Sequence, residues 1–197
     1  MPLVLLASAS ERRRQILSEY LEDRNTCLEF CILREPEQEA TSGMEVNLQV
    51  ESSCIGKAMA AVKERASEGN VADIILVSDT LVEDPDDETQ ALGKPMNKEE
   101  ALRMLLRIRG STHKVWTATA VLENGNWKYS LEHAVVKIDY FSDDVLVELI
   151  ETGSWKGKAG GYDLAGQMGK YAYLVKGSES VVLGLSIEPF KHLLRKT

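Results

Sequence analysis

Residues Leu3 to Arg14, LVLLASASERRR, constrain this chain more than any other stretch. The apolar run from Leu3 is short enough for a buried strand, and it stops at Ser8 and Ser10. Ile16, Leu17, Tyr20 and Leu21 then recur at helical spacing, so a helix follows the serines. Ser8 with Glu11 three residues on predicts a capping box, and Ser10 is a second capping candidate. Arg12, Arg13 and Arg14 crowd the first turn, where unsatisfied N–H groups already carry partial positive charge. Each cation there is unfavourable by about 0.3–1 kcal/mol, so an anion would offset them. Hydroxyls, N–H groups and guanidinium forks gathered at one point suit a phosphate. A capped helix whose arginines point into water accounts for the same residues.

The chain is long enough for one well-packed core, with room for two lobes. A net charge of −8 and a pI near 5.0 argue against polymeric nucleic acid as partner, since that requires a basic surface. Cys27, Cys31 and Cys54 are odd in number and lack CxxC spacing, which fits reduced thiols in a cytoplasmic protein. No run approaches the length of a membrane span, and the first residues lack the pattern of a secretory signal.

Along the chain, Glu29 to Leu33 predicts a short strand and Asn47 to Ala66 a helix, with Val50, Cys54, Ala58, Ala61 and Val62 on or near its apolar stripe. Lys57 borders that stripe, which either leans it towards a cleft or leaves its head snorkelling in water. Ile74 to Val77 predicts a strand buried on both faces that ends at Ser78-Asp79-Thr80. Glu83 to Thr89 then reads as a solvated acidic hairpin tip, returning at Ala91 to Pro95. Asn97 with Glu100 starts a further helix that Gly110 ends. Val115 to Leu122 and Trp127 to Tyr140 pair through Asn124-Gly125. Ser142 caps a helix closed by Gly153. The glycine-rich region that follows predicts shaped loops, Val181 to Leu183 a last strand and Ile187 to Arg195 a closing helix. The mixture predicts an α/β fold with a mixed twisted sheet flanked by helices.

Cations, carboxylates and hydroxyls recur at the predicted element ends. Asp79 is the most telling, because a carboxylate ending an apolar strand needs a partner, a metal or a task, unless it caps its own turn. If the cations hold a polyphosphate and the acids a divalent ion, hydrolysis of a phosphoanhydride follows. His113 offers itself as a base, but its place after a Gly-Ser-Thr turn suits a hydrogen-bonded structural histidine better. Neither a Walker A motif nor GxGxxG is present.

A collinear series of short motifs spans nearly the whole chain. It runs through Leu6-Ala7-Ser8-Ala9-Ser10 with Arg12-Arg13, Lys57-Ala58, Ser78-Asp79-Thr80 and Leu92-Gly93-Lys94-Pro95. Glu100-Ala101 before Met104-Leu105, Gly110 to His113 with Val115 and Thr117, Lys158 to Tyr162 and Gly184-Leu185 complete it. In this order the sequence resembles the Maf-like nucleotide pyrophosphatase family, linked in part to septum formation. The resemblance implies a single α/β domain over 1–197 with two lobes around a central cleft, usually as a homodimer. It also implies hydrolysis of a standard or modified nucleoside triphosphate to the monophosphate and pyrophosphate, with Mg²⁺ or Mn²⁺. Carried over by position, Ser8, Ser10, Arg12, Arg13, Lys57, Thr80, Lys94 and Lys158 would bind substrate. Asp79 and Glu35 would be the catalytic and metal-associated acids, with Glu37 an alternative to Glu35 because Pro36 interrupts the pattern.

The sequence departs from the family at Glu11, where proline is usual, at Arg109, where serine is usual, and at Ser186, again a proline position. Ala165 stands where members carry Gln or Glu, with Gln167 two residues away. That departure leaves base preference open, and with it a second expectation: a nucleotide-binding regulator with little or no hydrolysis. A nucleotide monophosphatase or phosphotransferase is a third.

Overall fold

The computed structural model describes residues 2–22, 24–34, 43–68 and 72–194. Among these, seven strands form one mixed sheet: β1 Leu3–Ala7, β2 Cys27–Cys31, β3 Ile74–Asp84, β4 Asp87–Leu92, β5 Thr112–Glu123, β6 Asn126–Ile138 and β7 Ala172–Lys176. The order across the sheet is β2-β1-β3-β5-β6-β7, with β4 pairing β3 off this path. β1 runs parallel to β2 and β3, and the remaining pairs are antiparallel. Helices α1 Glu11–Leu21, α2 Val46–Glu68, α3 Lys98–Ile108, α4 Asp143–Thr152, α5 Glu179–Leu183 and α6 Lys191–Leu194 connect and cover it. The fold is α/β, as the alternation of strands and helical stripes predicts.

Strand alternation sorts the core. Leu5, Ala7, Ile75 and Val77 face Val50, Cys54, Ala58 and Ala61 of α2. Val4, Leu6, Ile74 and Leu76 point the other way, onto Leu17 and Leu21 of α1 and onto Leu185 and Phe190. A further cluster joins Val82, Val115 and Ile138 to Ala101, Leu105 and Ile108 of α3 and Leu146 and Leu149 of α4. Parallel strands buried on both faces read as continuous apolar runs, which is why β1 and the start of β3 stand out in the sequence.

Several expectations change. Ser10, not Ser8, caps α1, accepting the Arg13 N–H at 3.4 Å. The strand expected over Glu29 to Leu33 lies two residues earlier, and Val62 is exposed. β3 runs through Asp79 to Asp84, and Pro85-Asp86 alone make its turn. Glu83 and Asp84 are therefore buried, not solvated: Asp84 accepts from Arg107 Nε and Nη2, both at 2.7 Å, and Glu83 from Trp116 Nε1 at 2.7 Å. The glycine-rich region contains the strand β7. Val181 to Leu183 is helical, closed by Gly184 at φ 98. An apolar triplet is too short to show its period, so its flanks decide, and a left-handed glycine stops a helix readily. The closing helix is a 3₁₀ turn over Glu188–Phe190 followed by α6.

Candidate active site

The site begins as a gap in the sheet. β1 flanks β3 only at Ile74 to Leu76, and β4 flanks the same strand from Val82 onward. A cleft of about 900 Å³ opens beside the intervening segment. Ser8 and Ser10 line it from the turn between β1 and α1, Arg12 and Arg13 from the first turn of α1, Lys57 from α2 and Thr80 from β3. Lys94 enters between β4 and α3, and Lys158 from the segment after α4. Residues far apart in the chain thus meet where one edge of β3 is left between β1 and β4, while β5 pairs its other edge from Ile74 to Val82 without a break. Glu35 and Glu37 lie outside the described residues.

Asp79 follows Ile75 and Val77 on the face covered by α2, so its carboxylate is directed at that helix. It is buried, and Lys57 Nζ donates to Oδ1 at 2.8 Å. Burial pushes the Asp79 pKa upward, but Lys57, Arg13 and a hydrogen bond from Ser53 outweigh it and hold the carboxyl below its usual range. Asp79 itself lies beneath the cleft wall, between the cleft-lining Ser78 and Thr80 in the chain and paired with the cleft-lining Lys57. Neighbouring Cys54 is pushed up to about 12, first by burial and then by Asp79, so it remains a neutral thiol.

Arg13 lines the cleft and is also tied to the fold through all three guanidinium nitrogens. Nε donates to Gly184 O at 2.6 Å, Nη1 to Ser78 O at 2.7 Å and Nη2 to Thr80 Oγ1 at 2.9 Å. Its fork therefore ties α1 to β3 and to the turn after α5, while its charge still acts on Asp79. Ser8 Oγ accepts the Ser10 N–H at 3.2 Å, and Ser10 caps the helix that opens on the cleft. Thr80 Oγ1 also lies 2.9 Å from Thr117 Oγ1.

Where the start of α1 meets the segment after α4, Arg12 Nη2 contacts Asp163 Oδ2 at 2.5 Å, and Lys158 Nζ approaches the same oxygen at 3.4 Å. Tyr162, next in the chain, pairs with buried His113 Nε2 at 2.9 Å. Burial lowers the His113 pKa to about 4, which makes it a neutral structural residue. Sequence reasoning missed Ser53 and Asp163. The one signal for Asp163 was an acid directly after the Gly160-Gly161-Tyr162 run, and nothing local shows that Arg12 will face it.

Residues 3–197 match the family model described as Maf-like protein. The chain belongs to the Maf-like family. Within it, a dTTP/UTP pyrophosphatase of Burkholderia thailandensis is 32% identical over 203 residues, covering 98% of this chain and 92% of the relative. A dTTP/UTP pyrophosphatase of Pyrococcus horikoshii is 30% identical over 190 residues, covering 94% and 92%. Among solved structures, a nucleoside-triphosphatase (dITP/XTP pyrophosphatase) of Mycobacterium abscessus aligns over 98% of this chain and 92% of that one, with 15% identity and a TM-score of 0.45. Among the described residues of this Maf-like protein, no three His, Cys, Asp or Glu side chains cluster as a metal cage. A hard divalent ion does not require one when a polyphosphate shares its shell, since one or two carboxylates then suffice. Asp79, ionised and beside the cleft, fits that lesser requirement. No helix among the described residues is long and apolar enough to cross a membrane.

Proposed function

We propose that this Maf-like protein hydrolyses a nucleoside triphosphate to the monophosphate and pyrophosphate, with dTTP and UTP the first substrates to test. The observation that carries the reading is the convergence of Arg12, Lys57, Lys94, Lys158 and the start of α1 on one cleft, with ionised Asp79 just beneath its wall.

The phosphate tail lies along the lysines and the N-terminus of α1, whose N–H groups and partial charge favour anions. Asp79 accepts a proton from a water and aims that water's oxygen at the α-phosphorus. Lys57 fixes the carboxylate's orientation, so the geometry is in place before substrate arrives. The bond from the α-phosphorus to its bridging oxygen breaks, and the charge on departing pyrophosphate falls on the surrounding cations. A divalent ion, Mg²⁺ or Mn²⁺, would be held by Asp79, with Glu35 as the second acid the resemblance names, and when bound supplies further neutralisation of the phosphate oxygens. The same reading carries the expectation of one two-lobed domain acting as a cytoplasmic homodimer.

The alternative, a nucleotide-binding regulator without turnover, is favoured by Ala165 at the family's Gln or Glu position and by a carboxylate already seated on Arg12 and Lys158. Incubating standard and modified triphosphates with Mg²⁺ or Mn²⁺ and measuring pyrophosphate against orthophosphate separates the two. Pyrophosphate release supports hydrolysis. Orthophosphate as the first product contradicts it, and binding without release favours the regulator.

A further inference from the structure

Asp163 occupies the place where an anion would be expected to bind. Its Oδ2 takes Arg12 at 2.5 Å and Lys158 at 3.4 Å, while Oδ1 accepts the Ala165 N–H at 3.1 Å. The two oxygens therefore have separate tasks, one electrostatic and one in closing a short turn. The backbone accommodates the arrangement. A Cβ on Gly166 would stand 3.0 Å from Asp163 Cβ and Cγ and 3.2 Å from Oδ2, so glycine lets the carboxylate lie against the chain. Asp163, Arg12 and Lys158 all line the cleft, and each side chain is about a quarter exposed or less (18%, 25% and 26%). Charges so placed are only partly screened, and a ligand can reach them.

We propose that Asp163 is a resident anion that holds Arg12 and Lys158 in the empty cleft and is displaced by the phosphate tail, thereby setting the affinity for polyphosphates. This rests on the pyrophosphatase reading of the same cleft and adds to it a residue that opposes binding. A phosphate that reaches Arg12 must exchange one anion for another, so each encounter carries a constant cost.

Inorganic tripolyphosphate, titrated calorimetrically into the full chain with a chelator present, tests this without reference to turnover. Asp163→Asn keeps the oxygen that closes the turn and removes the charge; Asp163→Ser keeps a hydroxyl for the turn and gives an independent second case. Both should bind tripolyphosphate about tenfold more tightly than the parent, the scale of losing the carboxylate's two part-exposed pairs, to Arg12 and to Lys158. Unchanged or weaker binding in both variants would overturn the proposal, making Asp163 a residue that positions the cations. If the parent releases pyrophosphate from nucleotides yet neither variant gains affinity, only this inference falls. If neither parent nor variants bind tripolyphosphate at all, the phosphate reading of the cleft fails and this one with it.

Discussion

Lys57 donates to Asp79 at 2.8 Å across two elements that share nothing in sequence, a helix stripe and the middle of an eleven-residue strand. Both side chains are 13% exposed, so the pair is largely withdrawn from water and its partners depend on one another. Lys57→Met strands a buried carboxylate and should lower unfolding stability by about 3 kcal/mol, read from denaturant midpoints at constant slope. Adding Asp79→Asn to Lys57→Met should recover part of that loss. A strictly additive double variant would show that the pair is not coupled.

Asp79→Asn alone separates chemistry from binding. The amide cannot take a proton from water, so kcat should fall by about 10²–10⁴ while tripolyphosphate still binds. Turnover at the parent rate would remove Asp79 from the reaction.

Arg13→Lys should leave a folded but weakened protein. A single ammonium cannot serve Gly184 O, Ser78 O and Thr80 Oγ1 together, and the loss is about 2 kcal/mol. Gly184→Ala strikes the same junction from the other side. Its φ of 98 is left-handed, and the new Cβ would lie 3.0 Å from Thr80 Oγ1 and 3.2 Å from Arg13 Nε. A loss of about 1–3 kcal/mol is expected, with both variants lowering the melting temperature. Parent-like melting in either would show that the junction is not a support.

His113 gives the fold an acid limit. Its native pKa of about 4 lies below the ordinary 6.5, so the unfolded chain takes up the proton first as pH falls. Its contribution is complete above pH 6.5, declines between 6.5 and about 4 and is gone below, amounting to up to about 3 kcal/mol. His113→Gln, which keeps a partner for Tyr162, should flatten that part of the stability profile relative to the parent. An unchanged profile would assign the acid sensitivity elsewhere.

Elements whose burial fills both faces or one full stripe were legible in the sequence. β1, the first half of β3 and α3 could be read from apolar spacing and caps alone, because local pattern and tertiary packing agree there. Local pattern failed where a remote partner decides. Glu83 and Asp84 look solvated until Trp116 and Arg107 arrive from other elements. Val181 to Leu183 has strand-forming side chains, but its neighbours make a turn of helix, and Thr117 Oγ1 donates to the Val181 carbonyl. Residue types at predicted strand and helix ends pointed to the cations that line the cleft and to Asp79 beneath its wall, although β3 runs on past Asp79. Their division of labour was not legible: Arg13 donates to Gly184 O, Ser78 O and Thr80 Oγ1, and Asp163 pairs with Arg12, all contacts between residues distant in the chain.

In the proposed reaction, water aimed from Asp79 attacks the α-phosphorus while the cleft's cations take the departing pyrophosphate. Hydrolysis of dTTP in ¹⁸O-enriched water, followed by ³¹P NMR, distinguishes attack at that atom from attack further along the phosphate chain. Label is expected in the nucleoside monophosphate and none in pyrophosphate; label in pyrophosphate, or in released orthophosphate, would rule that reaction out.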